Sequence, residues 1–174
     1  MFKSFLLFFT LVYSLYAHPH TFIDIYLKIN NKDNIITTIN LEWKFDAMTS
    51  QLLAMEFDSN MDGKIDKKES NYINMNYFQP LEDYRFYTDI KIQDKSIVTK
   101  VKNFFAFIDS EQRIIYRFDI EINTPKDQVY IDFYDEDGFT AFMLKKEFIT
   151  SDIFFKLVDV DNDFYFAYRL QFKD

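Results

Sequence analysis

The sequence predicts a mostly β protein: an antiparallel β-sandwich-like domain with one EF-hand-like helix–loop–helix inserted after the second strand. Two observations support this prediction. Apolar residues alternate with a period of two over most of the chain, and the period changes to a helical one only near residues 47–79. Short turn-forming segments between the strands favour hairpins over βαβ units. The alternative is an α+β open sheet packed on the two helices.

The composition narrows the class of protein. The 174 residues are 48% hydrophobic and 20% aromatic, which is enough for a packed core and excludes disorder over the whole chain. The chain has no cysteine, so it has no disulfide, thiolate metal ligand or cysteine nucleophile. The formal net charge of −8 and the lack of a basic tract exclude nucleic acid as the expected partner.

Residues 1–17 have the organisation of a cleaved secretory signal peptide. Lys3 supplies a positive charge, residues 4–16 form an uncharged apolar run, and Ala17 is the small residue at the cleavage site. The run is shorter than the roughly 20 residues of a membrane span, although an uncleaved anchor is the alternative. No second long apolar run follows. We therefore expect residues 18–174 to form a single β-rich domain in the periplasm, with no membrane span.

The elements follow in order from the periodicity. Residues 20–29 and 35–46 alternate, and the turn residues 30–34 between them predict a hairpin. Residues 47–57 lack Gly and Pro and place Met48, Leu52, Met55 and Phe57 near one helical face. A second helical stretch reaches about Tyr77. The strand pattern then returns in the segments 86–93, 96–108, 113–122, 129–135, 139–144 and 164–172.

Between the two helical stretches, residues 58–69 match the twelve-residue calcium loop of an EF-hand. Gly63 occupies the sixth position, where the chain must turn sharply, and Ile65 at the eighth position is expected to point inward. The predicted calcium ligands are Asp58, Asn60, Asp62, the backbone carbonyl of Lys64, Asp66 and the bidentate Glu69. Because sensor proteins usually pair such loops, a single loop favours a structural calcium site. The alternative is a solvated acidic turn.

A second candidate site lies at the start of the processed chain. Cleavage after Ala17 would expose His18-Pro19-His20, which contains both histidines of the protein. Residues i and i+2 of a strand share one face about 7 Å apart, so two imidazoles there could hold one metal ion. The free α-amine of His18 would add a third nitrogen. Pro19 has no amide hydrogen, which excludes a site built on deprotonated backbone amides.

The hairpin register decides which carboxylates face these histidines. Pairing Ile29 with Ile35 would place Asp46 opposite His18, and shifts of two residues would keep the same faces. The predicted transition-metal site comprises His18, His20, Asp46 and Glu42. Nickel, cobalt, copper and zinc all suit a nitrogen-rich site with a carboxylate. The alternative is a frayed, solvent-exposed terminus.

Three features together resemble a known family: HPHTFID directly after the apolar run, Trp-x-Phe-Asp at residues 43–46, and the loop at 58–69. They resemble uncharacterised bacterial proteins catalogued as the periplasmic component of an ABC-type transport system. The resemblance is clearest over residues 18–80. Members often lie beside genes for nickel/cobalt-type or other metal exporters, so the resemblance implies periplasmic metal handling.

Three functions from different classes fit these observations. The first is a non-enzymatic accessory protein of an inner-membrane metal transporter, with a transition metal at His18 and His20 and a structural calcium ion. The second is a copper-dependent oxidase or oxygenase that uses a histidine brace. The third is an adaptor that docks a membrane partner without metal. The sequence offers no other catalytic arrangement, so we expect the protein not to be an enzyme.

Overall fold

The structure is a computed structural model that describes residues 20–161 and 166–172. Strands make up 49% of the described residues and helical segments 26%, which confirms the mostly β prediction. The strands are β1 (Thr21–Lys32), β2 (Ile35–Phe45), β3 (Thr88–Ile92), β4 (Lys95–Ser96), β5 (Val101–Ile108), β6 (Ile114–Pro125), β7 (Val129–Phe133), β8 (Thr140–Met143), β9 (Ile149–Ser151), β10 (Lys156–Asp161) and β11 (Phe166–Gln171).

The strands form two sheets, and the β-sandwich-like prediction is confirmed. The first sheet has the order β5-β6-β2-β1-β8, with β9 also paired to β1, and the second has the order β10-β11-β7-β3-β4. Antiparallel pairing predominates, while β1 pairs in parallel with β8 and β9. A single apolar core draws on both sheets. Its centre is Trp43 on β2, whose ring meets those of Phe118 at 5.0 Å and Phe78 at 5.8 Å between centroids.

The inserted helical region lies between β2 and β3. It comprises helix α1 (Ala47–Phe57), helix α2 (Lys67–Ile73), a π-helical turn (Asn74–Phe78) and a 3₁₀ segment (Gln79–Tyr87). Two buried serines attach it to the first sheet: the Ser50 hydroxyl accepts the Ile114 N–H at 3.0 Å, and the Ser70 hydroxyl accepts the Ala106 N–H at 2.9 Å. Among the described residues, no helix has the length and apolar character needed to cross a bilayer.

The β1–β2 hairpin forms as predicted, but the predicted register is wrong. Ile29 pairs with Ile39 and not with Ile35. The turn is shorter than the pattern suggested because β1 continues to Lys32, with a bulge at Asn30/Asn31, and only Asp33 and Asn34 form the turn. Both have positive φ, at 53° and 62°, as a two-residue type I′ turn requires. The β2 residues from Thr38 to Phe45 therefore lie four positions further along β1 than predicted.

Candidate metal centre

The loop at 58–69 lies between α1 and α2, in the helix–loop–helix setting that its pattern requires. Helix α1 ends at Phe57 and helix α2 begins at Lys67. Gly63 has φ +78°, a left-handed conformation that glycine adopts without steric cost. Ile65 is 5% exposed and joins the apolar core. The loop is thus attached to the core at its eighth position, as the sequence predicts.

Three predicted calcium ligands hold the loop backbone in its turn. The Asp58 carboxylate accepts the N–H groups of Asp62 at 3.1 Å and Gly63 at 2.8 Å. The Asn60 side-chain oxygen accepts the Asp62 N–H at 2.9 Å. The Asp62 carboxylate in turn accepts the Lys64 N–H at 2.9 Å. These bonds hold the turn with side-chain oxygens from within the loop itself.

Glu69 closes the loop from the first turn of α2. It is 6% exposed, and one carboxylate oxygen accepts the Ser59 N–H and hydroxyl, both at 2.8 Å. The other oxygen accepts the Asp66 N–H at 2.9 Å, and the Asp66 carboxylate accepts the Glu69 N–H at 2.8 Å, which completes a capping box. The pKa of Glu69 lies below its usual value, chiefly because its carboxylate accepts the Asp66 N–H. Burial acts to raise this pKa, whereas the hydrogen bonds from Ser59 lower it further.

The loop therefore combines hard oxygen donors with a pre-folded backbone, which suits Ca²⁺ better than a soft metal. Its carboxylates point at backbone amides, and among residues 20–161 and 166–172 no three His, Asp or Glu side chains converge on one point for a metal ion. Glu69 would have to exchange its Ser59 hydroxyl bond for the ion.

The histidine region is less organised. His18 lies outside the described residues. His20 is exposed, and its backbone N–H donates to the Phe139 carbonyl at 2.9 Å, immediately before β1 pairs with β8. The strand predicted to begin at His20 begins at Thr21.

Asp46 serves as the N-cap of α1. One carboxylate oxygen accepts the Thr49 N–H at 2.9 Å, and the other accepts the Thr49 hydroxyl at 2.6 Å and the Phe22 N–H at 3.0 Å. Partial burial acts to raise the pKa of Asp46, but these bonds outweigh it and the pKa lies below its usual value. The Asp46 N–H also donates to the Phe22 carbonyl, so Asp46 lies beside Phe22, two residues from His20.

Glu42 does not approach His20. It pairs with Tyr26 across the hairpin, six residues along β1 from His20, which is about 20 Å at the rise of a strand. Its carboxylate forms an ion pair with Arg117 at 2.6 Å. The register error explains this separation. Asp46 alone of the two predicted carboxylates lies near the exposed histidine.

Sequence reasoning missed the exposure of the α1 face. Met48, Leu52 and Met55 do share one side of the helix, but they point away from the core, and Met55 is 79% exposed. Met61 in the loop is exposed beside them. A groove of about 660 Å³ runs past Met55 and Met61 toward the end of β5. The interior side of α1 is formed by Ser50 and Phe57, and the small polar Ser50 obscures that face in the sequence.

The fold and this site together define a two-sheet β protein with a helix–loop–helix inserted between strands. Residues 4–153 match a family described as "Protein of unknown function (DUF1007)", and the chain belongs to that family. An uncharacterised 15.5 kDa protein from the trpE 3′ region of Spirochaeta aurantia is 26% identical over 97 residues, which is 54% of this chain and 69% of that protein.

Proposed function

We propose that this protein is an exported accessory protein of a transition-metal transport or homeostasis system, and that calcium bound at residues 58–69 stabilises its fold. The observation that carries the calcium part is the folded loop, in which the side-chain oxygens of Asp58, Asn60 and Asp62 accept the N–H groups of the turn. Glu69 binds back to Ser59 at the start of the loop. Burial of Ile65 couples the loop to the core, so binding there would stabilise the whole domain.

The transition-metal part depends on the amino terminus and on the family resemblance. His20 is exposed to solvent, where a metal ion could reach it. Across the hairpin, Asp46 lies beside Phe22, which is two residues after His20. Export with cleavage after Ala17 would create the α-amine of His18 and complete a nitrogen-rich site. The resemblance to proteins encoded beside metal exporters supports an inner-membrane metal transporter as the partner.

Metal titration of the processed protein tests both parts. Calcium should bind with a dissociation constant of roughly 0.1–1 mM, and at tenfold excess it should add about 1.4 kcal/mol to the free energy of unfolding. Copper, nickel or zinc, titrated in the presence of calcium, should bind at micromolar concentrations or tighter and lose that affinity in His20→Ala. A melting temperature unaffected by calcium contradicts the first part, and only millimolar binding of all three metals contradicts the second.

The exposed α1 face favours a second candidate, an adaptor that docks a membrane partner. Met48, Leu52, Met55 and Met61 form an apolar surface, and methionine side chains adapt to varied partners. Co-purification with a metal transporter separates the candidates. Loss of the complex in Met55→Asp, but not in His20→Ala or in the control Lys28→Asp at an exposed position of β1, would favour the adaptor.

A further inference from the structure

A strained turn precedes β3, outside both candidate metal sites. Arg85, Phe86 and Tyr87 are consecutive residues with positive φ, at 51°, 50° and 48°. Each such non-glycine residue costs about 1–2 kcal/mol, so the turn persists only because its surroundings hold it. The Phe86 ring is buried and stacks on Phe78 at 4.9 Å, and the Tyr87 ring lies 5.9 Å from that of Trp43. These two rings anchor the turn to the core.

The turn forms one wall of a small cavity of about 180 Å³. The rings of Tyr84, Tyr87 and Tyr134 line it, and the first two have centroids 6.0 Å apart. Its charged lining includes Asp89 and Glu136. The cavity is smaller than the roughly 300 Å³ at which sites for drug-sized ligands begin, so a fitting ligand has only a few heavy atoms.

Asp89 is the buried acid of this cavity, at 3% exposure. One of its oxygens accepts the hydroxyls of Ser96 at 3.1 Å and Tyr134 at 3.3 Å, and lies 3.3 Å from the Lys91 ammonium. The other oxygen is buried and has no hydrogen-bond partner among the described residues. The Arg85 Nε stands 3.8 Å from it, too far for a hydrogen bond. An unsatisfied buried acceptor of this kind costs about 1–3 kcal/mol or more.

We propose that this cavity binds a small organic cation, a primary ammonium or guanidinium group that displaces the Arg85 side chain and donates to the Asp89 oxygen that has no hydrogen bond. Three of the four charged side chains that line the cavity are acidic, which favours a cation. The tyrosine rings add cation–π attraction, which an ammonium group exploits.

The Arg85 guanidinium would compete with an added cation for this site. It lies 3.8 Å from Asp89 and 4.0 Å from Glu136, and the Arg85 side chain is 45% exposed. It therefore faces both carboxylates without hydrogen-bonding to the Asp89 oxygen, and it can swing into solvent when a ligand enters. Removing the Arg85 side chain should make the cavity a better cation site.

NMR titration of the purified protein with n-propylammonium chloride tests the proposal, in buffer with calcium and without transition metal. We expect saturable shifts around β3 and Tyr134, absent with sodium propionate, which has the same size and the opposite charge. Asp89→Asn should weaken binding about tenfold or more, because it removes the charge that holds the cation. Arg85→Ala should bind more tightly than wild type. Asp127→Asn, an exposed acid on the 3₁₀ turn after β6, is the charge-matched control and should bind like wild type.

Three outcomes would overturn the proposal. One is the absence of saturable binding in both wild type and Arg85→Ala, a pair that does not depend on whether Asp89→Asn folds. Another is equal binding by a folded Asp89→Asn protein. The third is a crystal structure, grown with n-propylammonium, in which a single water molecule bridges Arg85 and Asp89 and stays in place. None of these outcomes bears on the calcium loop or the amino-terminal histidines.

Discussion

The 58–69 loop and the amino-terminal histidine region differ in how their side chains reach one another. Every hydrogen bond that shapes the loop joins residues at most ten positions apart, from Asp58 to Glu69. The predicted histidine site instead needs β2 to bring carboxylates across a hairpin. The loop forms as its pattern requires, whereas the hairpin brings Asp46 beside Phe22 and Glu42 beside Tyr26. Local motifs are therefore the safer basis for a site, since a small error in register moves every cross-strand partner.

The largest expected effect of a single substitution is that of Glu69→Ala. It leaves the N–H groups of Ser59 and Asp66 without their buried acceptor and should lower the free energy of unfolding by about 2–3 kcal/mol even in calcium-free buffer. It should also abolish the stabilisation by calcium. Urea denaturation with and without calcium measures both. The control is Glu121→Ala, an exposed partner of Lys102 that should cost less than about 1 kcal/mol and keep the calcium response.

Acidification should remove the contribution of Glu69 to the free energy of unfolding. The pKa of this carboxyl is lowered in the folded protein, so its stabilisation is complete above the unfolded pKa of about 4.3 and is lost as the pH falls through the lowered folded value. The difference in stability between wild type and Glu69→Gln should therefore be constant near neutral pH and shrink below about pH 4.3. A difference that grows with acidification would show that Glu69 is not held as a carboxylate.

Alanine substitutions at the two glycines of the protein form a matched pair, with a smaller expected effect on the free energy of unfolding. Gly63 has φ +78° and Gly138 has φ +70°, and a Cβ at either would meet no heavy atom within 4 Å among the described residues beyond its chain neighbours. Alanine should cost about 1–2 kcal/mol at both positions for conformational reasons alone. Only Gly63→Ala should also weaken calcium binding. Equal calcium affinity in the two variants would contradict the role of the loop.

Substitutions of Asp46 test the predicted transition-metal site at the amino terminus. Asp46→Ala removes the N-cap of α1 and should cost about 1 kcal/mol, whereas Asp46→Asn keeps a capping side chain and should cost little. If Asp46 also contributes to a transition-metal site with His20, both variants should weaken metal binding, because Asn lacks the charge. Unchanged metal affinity in Asp46→Asn would leave Asp46 as a cap only.

Much of the fold follows from the sequence because its patterns are local. The alternation over 35–46 matches β2 almost residue for residue. The stretch 47–57, which lacks Gly and Pro, matches α1 in the same way. The strands β9 and β10 escape prediction: β9 has only three residues, and β10 carries its acids on every second position within a charged stretch.

The candidate sites divide in the same way. The turn at 58–69 could be predicted from the spacing of its residues, because the spacing reflects the geometry of the turn. The role of these residues as calcium ligands stays a prediction. The Asp89 cavity could not be predicted, because it joins Arg85, Asp89 and Tyr134 through a left-handed turn and a cross-strand contact that no periodicity encodes. The bulge at Asn30/Asn31 is equally invisible, although Asp33-Asn34 carries the composition of a type I′ turn.

The smallest expected effect on stability is that of His20→Ala. The side chain is exposed and lies before β1, so the free energy of unfolding should change by less than about 0.5 kcal/mol, and calcium binding at 58–69 should be unchanged. Transition-metal affinity should fall sharply in the same protein, because the exposed imidazole is lost. Lys28→Ala, at an exposed position of β1, is the control and should alter neither the free energy of unfolding nor the transition-metal affinity. Calorimetric titration with copper, nickel and zinc gives the comparison directly. A His20→Ala protein that binds all three metals as wild type does would confine metal binding to the loop and leave the amino terminus without a metal role.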